Sequence, residues 1–144
     1  MQPADMDLAS GIAAFEAKEF RRAIQLLSPL AEQGNPEAQF RLGVIYQNGL
    51  GAVVNEAFAF KWMCASAEQG HALGQHGLGI MYLFGECVDK DEIVSLGWFE
   101  KAAAQGLTGA LTTMAMMYQE GLGVAPDQEK SKALYRRAGF EDLG

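Results

Sequence analysis

The sequence repeats itself every 36 residues, and this period constrains the fold more than any other feature of the chain. The tripeptide Glu-Gln-Gly ends at Gly34 and again at Gly70, and Ala-Gln-Gly ends at Gly106. The pattern Leu-Gly-x-x-Tyr at residues 42–46 recurs at 78–82, and it returns as Met-Ala-x-x-Tyr at 114–118. A period of this length is typical of solenoids, in which each repeat buries its apolar face against its neighbours.

Each repeat is predicted to form two helices, A and B, joined by a short turn. Asn35 is a good N-cap, Pro36 suits the first helical position, and Gly49 suits the left-handed residue that ends a helix. Helix B should begin behind an N-cap side chain that recurs with the period, namely Asn55, Asp91 and Asp127. The predicted A helices span about 36–48, 72–84 and 108–120, and the predicted B helices span about 55–69, 91–105 and 127–139.

A further helical pair is predicted upstream of these repeats. Its helices span about 6–17 and 20–33, with a tighter turn between them, and Ala23 falls in register with Ala59. No single hairpin could bury its own apolar side, so neighbouring hairpins must cover one another. The predicted fold is therefore all-α, an α-solenoid of about four helical hairpins.

Two columns of the repeat predict how the helices pack. Gly43 and Gly79 lie inside helices, where glycine costs about 1 kcal/mol relative to alanine, and Ala115 fills the same column. We expect two helices to cross closely there, and we expect Gly79→Ala to be mild because Ala115 shows that a methyl group fits one equivalent position. Trp62 and Trp98 share another column and are predicted to be largely buried between hairpins.

Composition excludes several classes of protein. The 144 residues fit one domain, and 49% of them are hydrophobic, which excludes a disordered chain. The 18 acidic residues exceed the 11 basic ones, which argues against nucleic acid and anionic lipid as partners. No run of about 18 apolar residues predicts a membrane span. The first residues, MQPADMDLASG, contain no signal peptide as written.

No arrangement of residues predicts a catalytic, cofactor-binding or metal site. His71 and His76 are five residues apart and do not share a helix face; His71, at a helix start, is expected to cap the helix or lie on the surface. The acids at residues 86–92 are interpreted as one N-cap and solvated loop charges. The Gly-x-Gly pairs follow helices, so they do not predict phosphate binding. Cys64 and Cys87 are predicted to be two free thiols, because the repeat register keeps them apart.

The repeated residues resemble the Sel1-like repeat family. Its pattern is matched in the first full repeat by Ala38, Leu42, Gly43, Tyr46, Gly49 and Gly51. The upstream pair, with Gly11, Phe20 and Ala23, is more similar to a tetratricopeptide repeat. The resemblance implies a right-handed solenoid and a single repeat domain over residues 1–144. Within it, a tetratricopeptide-like hairpin covers about 4–34, and Sel1-like repeats cover 36–71, 72–107 and 108–143. Gly74, Cys87 and residues 89–92 depart from the pattern, so the second turn is expected to have its own geometry.

The resemblance also implies a function, a non-catalytic scaffold that binds a protein or peptide in a concave groove lined by the A helices. The residues expected to line that groove are Leu8, Ile12, Phe15, Glu37, Phe40, Val44, Gln47, Leu73, His76, Ile80, Leu83, Thr112, Met116 and Gln119. Many of them are apolar, and an exposed apolar patch usually marks a binding site. The alternative interpretation is that these residues pack on one another in a narrow groove.

Two other functions remain open at this point. Leu134, Tyr135 and Phe140 lie at the end of the last helix, and a homodimer through the terminal helices would bury them. An enzyme acting on cell-wall material is within the breadth of the family, although no residue here supports it. The resemblance further suggests a bacterial protein exported to the periplasm, with the cytoplasm as the alternative.

Overall fold

The computed structural model describes residues 3–140, and over that range it contains eight α-helices and no strand. The helices are α1 (Pro3–Glu16), α2 (Phe20–Glu32), α3 (Pro36–Asn48), α4 (Glu56–Glu68), α5 (Ala72–Phe84), α6 (Glu92–Ala104), α7 (Thr108–Glu120) and α8 (Gln128–Arg137). The three A helices of the full repeats, α3, α5 and α7, have the predicted bounds. The fold is an all-α solenoid of helical hairpins, as predicted.

The predicted caps explain where the helices begin and end. The side chains of Asn55, Asp91 and Asp127 accept hydrogen bonds from backbone N–H groups three residues later, at 3.0, 3.1 and 3.0 Å. Each B helix of the full repeats therefore begins one residue after its predicted start, because the cap residue itself is not helical. Gly49 and Gly121 end α3 and α7 in the left-handed conformation, with φ of 67° and 75°.

The second turn keeps the geometry of its equivalents, contrary to expectation. Gly51 and Gly123 have φ of 70° and 72°, and Cys87, in the same column, has φ of 64°. A β-carbon at Gly51 would lie 2.7 Å from the β-carbon of Phe20, and one at Gly123 would lie 2.8 Å from the backbone of Glu92. Those two turns therefore require glycine, whereas Cys87 adopts the same left-handed backbone with a side chain.

The chain divides into two compact units, residues 1–74 and 75–144. The core of unit 1 consists of Ala14, Ala23, Leu27, Leu30, Ala31, Ala38, Leu42, Ile45 and Trp62. The core of unit 2 consists of Leu83, Leu96, Phe99, Ala102, Ala103, Ala110, Leu111, Met114, Ala115, Met117 and Leu134. Leu134 is thus already buried inside its own unit and is not free for the end-to-end contact considered above.

Close helix crossings occur at both repeated glycines, as predicted. A β-carbon at Gly43 would lie 3.0 Å from Cε of Met63 and 3.4 Å from the carbonyl oxygen of Ala59. A β-carbon at Gly79 would lie 2.7 to 3.0 Å from three ring atoms of Phe99. The expectation that Gly79→Ala is mild is therefore wrong, since a buried aromatic ring cannot move aside as the end of a methionine can.

The tryptophan column is buried in one repeat and not in the next. Trp62 is 7% exposed and belongs to the core of unit 1. Trp98 is half-exposed, and its neighbour Phe99 is fully buried instead. Trp98 is therefore less buried than Trp62, because α6 presents the adjacent position to the core of unit 2.

Buried serines and glutamines tie the helices of a repeat together. Ser95 and Ser131 are 36 residues apart, and their hydroxyls donate to the carbonyls of Gly79 and Ala115 at 2.8 and 2.7 Å. The glutamine of the Gln-Gly signature donates its amide in the same periodic way: Gln69 to Gln39 at 2.7 Å, and Gln105 to Gln75 at 2.9 Å. These bonds satisfy polar groups that the close crossings bury.

Candidate functional site

The residues predicted to line a groove lie mostly on the A helices, at intermediate exposure. Eleven of the fourteen are half-buried, and Leu73 and Gln119 are exposed. Leu83 is a correction, because it is 3% exposed within the core of unit 2 and offers no surface to a partner. Residues 8–47 and Leu73 belong to unit 1, and the others belong to unit 2, so each unit carries its own face.

A carboxylate lies at the centre of the unit 1 face. Glu37, in the first turn of α3, accepts a hydrogen bond from Nε of Arg41 at 2.9 Å. Its other oxygen lies 3.0 Å from Nε2 of His71, which directly precedes α5. The side chains of Glu37, Arg41 and His71 are 23%, 16% and 20% exposed, so the group is partly shielded from solvent.

Arg41 is the residue of this face that the sequence analysis missed. Its guanidinium lies over the ring of Phe15 on α1, 4.8 Å from the ring centre, an arrangement typical of cation–π contacts. Its Nη2 is 3.9 Å from a carboxylate oxygen of Glu16, whose side chain is 66% exposed. The available signal was the four-residue spacing of Glu37 and Arg41, which places opposite charges together on a helix.

His71 directly precedes α5, and its side chain is partly buried against α3. Its ring packs 5.7 Å from that of Phe40, measured between centres, in a tilted arrangement. Its Nε2 is buried and close to Glu37, but the two groups are not aligned as a hydrogen bond. His71 thus connects the charged centre to the aromatic residue that the sequence analysis placed on this face.

The apolar residues of the unit 1 face differ in how firmly they are held. Leu8 and Phe15 pack on the edge of the core, and Phe15 makes an edge-on contact with Phe20 at 5.6 Å between ring centres. Ile12, Phe40 and Val44 are half-buried and lie outside the core cluster formed by the described residues. All three keep some exposed apolar area, and Phe40 and Val44 lie on the same helix as Glu37 and Arg41.

The unit 2 face is uncharged and more firmly packed. Ile80 and Met116 both pack against the core of the unit. The ring of His76 is 5.4 Å from that of Phe99, and burial lowers the pKa of His76, while a backbone hydrogen bond at Gly109 opposes that shift. Thr112 donates its hydroxyl to the Gly109 carbonyl at 3.0 Å. The alternative interpretation, in which the predicted groove residues pack on one another, therefore fits the face of unit 2 better than the face of unit 1.

Several exposed apolar side chains lie away from both faces, and the sequence analysis missed them. They are found at the end of α5, in the turns and in the first residues of the B helices: Val53 (87% exposed), Val54, Phe58, Phe84, Ile93 (73% exposed) and Val94. Phe58 makes an edge-on contact with Tyr46, at 5.4 Å between ring centres. Sequence offers no signal for them, because the same apolar types in neighbouring columns are buried.

The structure gives three findings on other kinds of site. No three His, Cys, Asp or Glu side chains within residues 3–140 are grouped so that they could hold a metal ion. Both cysteines are free thiols, and burial, with a smaller effect of Glu68, raises the pKa of Cys64 to about 11. None of the described helices is long and apolar enough to cross a membrane.

Comparison with protein families supports the resemblance drawn from the repeated columns. The model of the Sel1 repeat matches residues 16–35, 36–71, 72–107 and 110–139, most of the chain. The chain belongs to the Sel1 repeat family. The match includes part of the upstream hairpin that resembles a tetratricopeptide repeat. No curated protein matched the chain.

Two solved structures from bacteria are similar to this chain. A Sel1 repeat protein from Oxalobacter formigenes is 33% identical, with a TM-score of 0.85 over 92% of this chain. A protective antigen present in uropathogenic Escherichia coli strains, which displays an SLR fold, is 31% identical, with a TM-score of 0.86 over 94%. This chain spans 53% and 30% of the lengths of those two chains.

Proposed function

We propose that this chain is a non-catalytic scaffold that binds a protein or peptide partner through the A-helix face of unit 1. The observation that carries the proposal is the face itself, where Phe40 and Val44 keep exposed apolar area around a half-buried Glu37–Arg41 pair. Sel1 repeats are interaction modules in general, and exposed apolar area beside ordered polar groups is the usual composition of an interface. The predicted residues on unit 2 form a separate face and are not needed for this proposal.

Site-specific photo-crosslinking in the native host tests this proposal. A photoreactive phenylalanine analogue replaces Phe40 in one variant and, as a matched aromatic control away from the face, Phe58 in another. We expect a protein adduct at position 40 that is absent at position 58, and Phe40→Asp should abolish capture of the same adduct partner. Adducts at position 58 alone, identified by mass spectrometry, would move the interface to the turn side of unit 1.

Self-association is the second candidate, and Phe140 is the residue that favours it. Phe140 is 48% exposed and packs edge-on against Tyr135, 6.0 Å between ring centres, at the end of α8. An analogue at position 140 that crosslinks to a second copy of this chain would support association through the ends. A molar mass by light scattering equal to one chain, at all concentrations tested, would exclude it.

A further inference from the structure

Resting on the proposed function, we infer that Arg41 selects the partner by binding a single acidic side chain that lies beside apolar residues of the partner segment. Arg41 is the group on this face whose charge is both ordered and incompletely used. Its Nε is bound to Glu37 and its plane lies against Phe15, so the orientation of the guanidinium is determined on two sides. Among the residues that the structure describes in unit 1, one carboxylate pairs with the Nη groups, that of Glu16 at 3.9 Å from Nη2.

That neighbouring carboxylate shows the chemistry that suits the position. The oxygen of Glu16 lies beyond hydrogen-bonding distance of Nη2, and its side chain is 66% exposed. A pair at this distance, in which the Glu16 side chain is largely solvated, contributes little stability, so a competing carboxylate can displace Glu16 at small cost. A partner carboxylate could then form two parallel hydrogen bonds with the Nη groups, the geometry for which arginine is best suited.

The surroundings favour one acidic side chain over several. The chain has a net charge of −7, which repels a strongly acidic segment. Phe15 lies against the guanidinium of Arg41, and Phe40 packs against His71, whose Nε2 is close to Glu37. These two apolar side chains near the charged group suit a segment that carries apolar residues before and after its acid. The carboxylate is therefore an internal Asp or Glu side chain and not a chain terminus.

The charged centre occurs in one repeat and not in the others. The columns of Glu37 and Arg41 hold Leu73 and Gly77 in the next repeat. In the last repeat they hold Gly109 and Thr113. Selection of an acidic side chain is consequently assigned to unit 1.

Matched peptides with blocked ends test this inference. Apolar peptides are immobilised on a cellulose support in pairs that differ only by a central Asp or Asn. The full-length protein is then added, and its binding to each peptide is measured. On the wild type we expect each favoured Asp peptide to bind about tenfold more tightly than its Asn partner, the effect of one charge-assisted interaction. The ratio of the affinities for the Asp and Asn peptides, called the Asp-to-Asn ratio below, does not change when a variant merely loses stability. It therefore separates recognition from folding.

Three variants complete the test. Arg41→Gln should reduce the ratio to about one, and Arg41→Lys, which keeps the charge and loses the planar fork, should leave it intermediate. Glu16→Gln should tighten binding of the Asp peptide up to about fivefold, since a competing carboxylate is removed. Lys101→Gln is the matched control, because Lys101 also lies over an aromatic ring, that of Trp98, but on α6.

The outcomes separate this inference from the proposed function. A ratio near one on the wild type, or a ratio kept by Arg41→Gln, overturns the role of Arg41 while leaving the binding face in place. One further peptide keeps the apolar sequence and has an unblocked C-terminal carboxylate as its only acid; binding confined to this peptide overturns the assignment to an internal Asp or Glu side chain. Absence of all peptide binding, together with no adduct at position 40, overturns both the inference and the function on which it rests.

Discussion

The same helix crossing occurs in both units, built with different neighbours. In unit 1, Gly43 faces the flexible end of Met63, and in unit 2, Gly79 faces the rigid ring of Phe99. The glycines occupy one column of the repeat, yet the free space above them differs by a few tenths of an ångström and, more importantly, in how readily the neighbour can move. Position in a repeat therefore indicates where helices cross, and the facing side chain determines what the crossing tolerates.

The A-helix faces of the two units differ in a parallel way. Unit 1 combines a half-buried ion pair with apolar residues outside its core, whereas the predicted residues of unit 2 mostly extend its core. Repetition has preserved the packing of the hairpins and not the surface that they expose. Divergence at exposed columns is how one repeat architecture can serve different partners.

The largest expected effect distinguishes the two candidate core aromatics of α6. Phe99→Ala should lower the free energy of unfolding by about 3–5 kcal/mol, because it empties a fully buried ring position. Trp98→Ala should cost clearly less, since that side chain is half-exposed. Urea denaturation followed by circular dichroism measures both, and equal losses would show that α6 is rotated relative to the structure.

The next effect separates the two faces by stability. Ile80 packs against the core of unit 2, so Ile80→Asp should lower the free energy of unfolding by about 2 kcal/mol or more. Phe40 lies outside the core of unit 1, so Phe40→Asp should cost clearly less and should act on binding instead. Thermal melts of the two variants provide the comparison, and an unfolded Phe40→Asp protein would show that unit 1 also uses its face as core.

Substitution of each glycine by alanine tests whether the helix crossings of the two units differ in the space they leave for a side chain. Gly79→Ala should lower the free energy of unfolding by about 1 kcal/mol, and Gly79→Leu should lower it by up to about 3 kcal/mol. Neither side chain fits beside Phe99 without displacing its ring. Gly43→Ala should change stability by less than about 0.5 kcal/mol, since gained helix propensity offsets a small shift of Met63. Denaturation midpoints that move equally for Gly43→Ala and Gly79→Ala would remove the distinction between the units.

The smallest effect concerns the two thiols. In Cys87→Ser, which leaves Cys64, native alkylation at pH 9 should be much slower than after unfolding, because burial raises the pKa of Cys64 to about 11. As the pH rises from 9.0 to about 11, the unfolded thiol ionises first, so this group's contribution to stability falls. Cys64→Ser should reduce this loss of stability between pH 9 and about 11.

Thiol counting of the wild type under denaturing, non-reducing conditions should find two free thiols. A count of zero in a monomer would contradict the repeat register, which keeps Cys64 and Cys87 apart.

Local chemistry made much of this fold predictable. A cap is formed by a side chain and the backbone three residues away, so Asn55, Asp91 and Asp127 could be assigned without any tertiary information. The bounds of α3, α5 and α7 followed from the 36-residue period, with the cap Asn35 at the start of α3 and left-handed glycines at the ends of α3 and α7. The candidate face was predictable as a set of A-helix residues, and its use in binding stays a prediction.

The errors arose where neighbouring columns compete for the same core. Trp98 and Phe99 are adjacent and differ by about 100° around the helix, so periodicity alone does not decide which one faces inward. Leu83 was assigned to the surface for the same reason. Arg41 was missed because its importance comes from Phe15 on another helix, a contact that no pattern within α3 contains.

What the sequence determined by itself was the period, the helices with their caps, the places where helices cross, and the family, because each depends on residues close together or on a recurring column. What only the tertiary structure decided was which aromatic of α6 is buried, how much room each glycine has, and which side chains surround Glu37. These depend on distances between side chains on different helices. Such distances follow from packing at close to crystal density, where a difference of one rotation or one methyl group changes the neighbour.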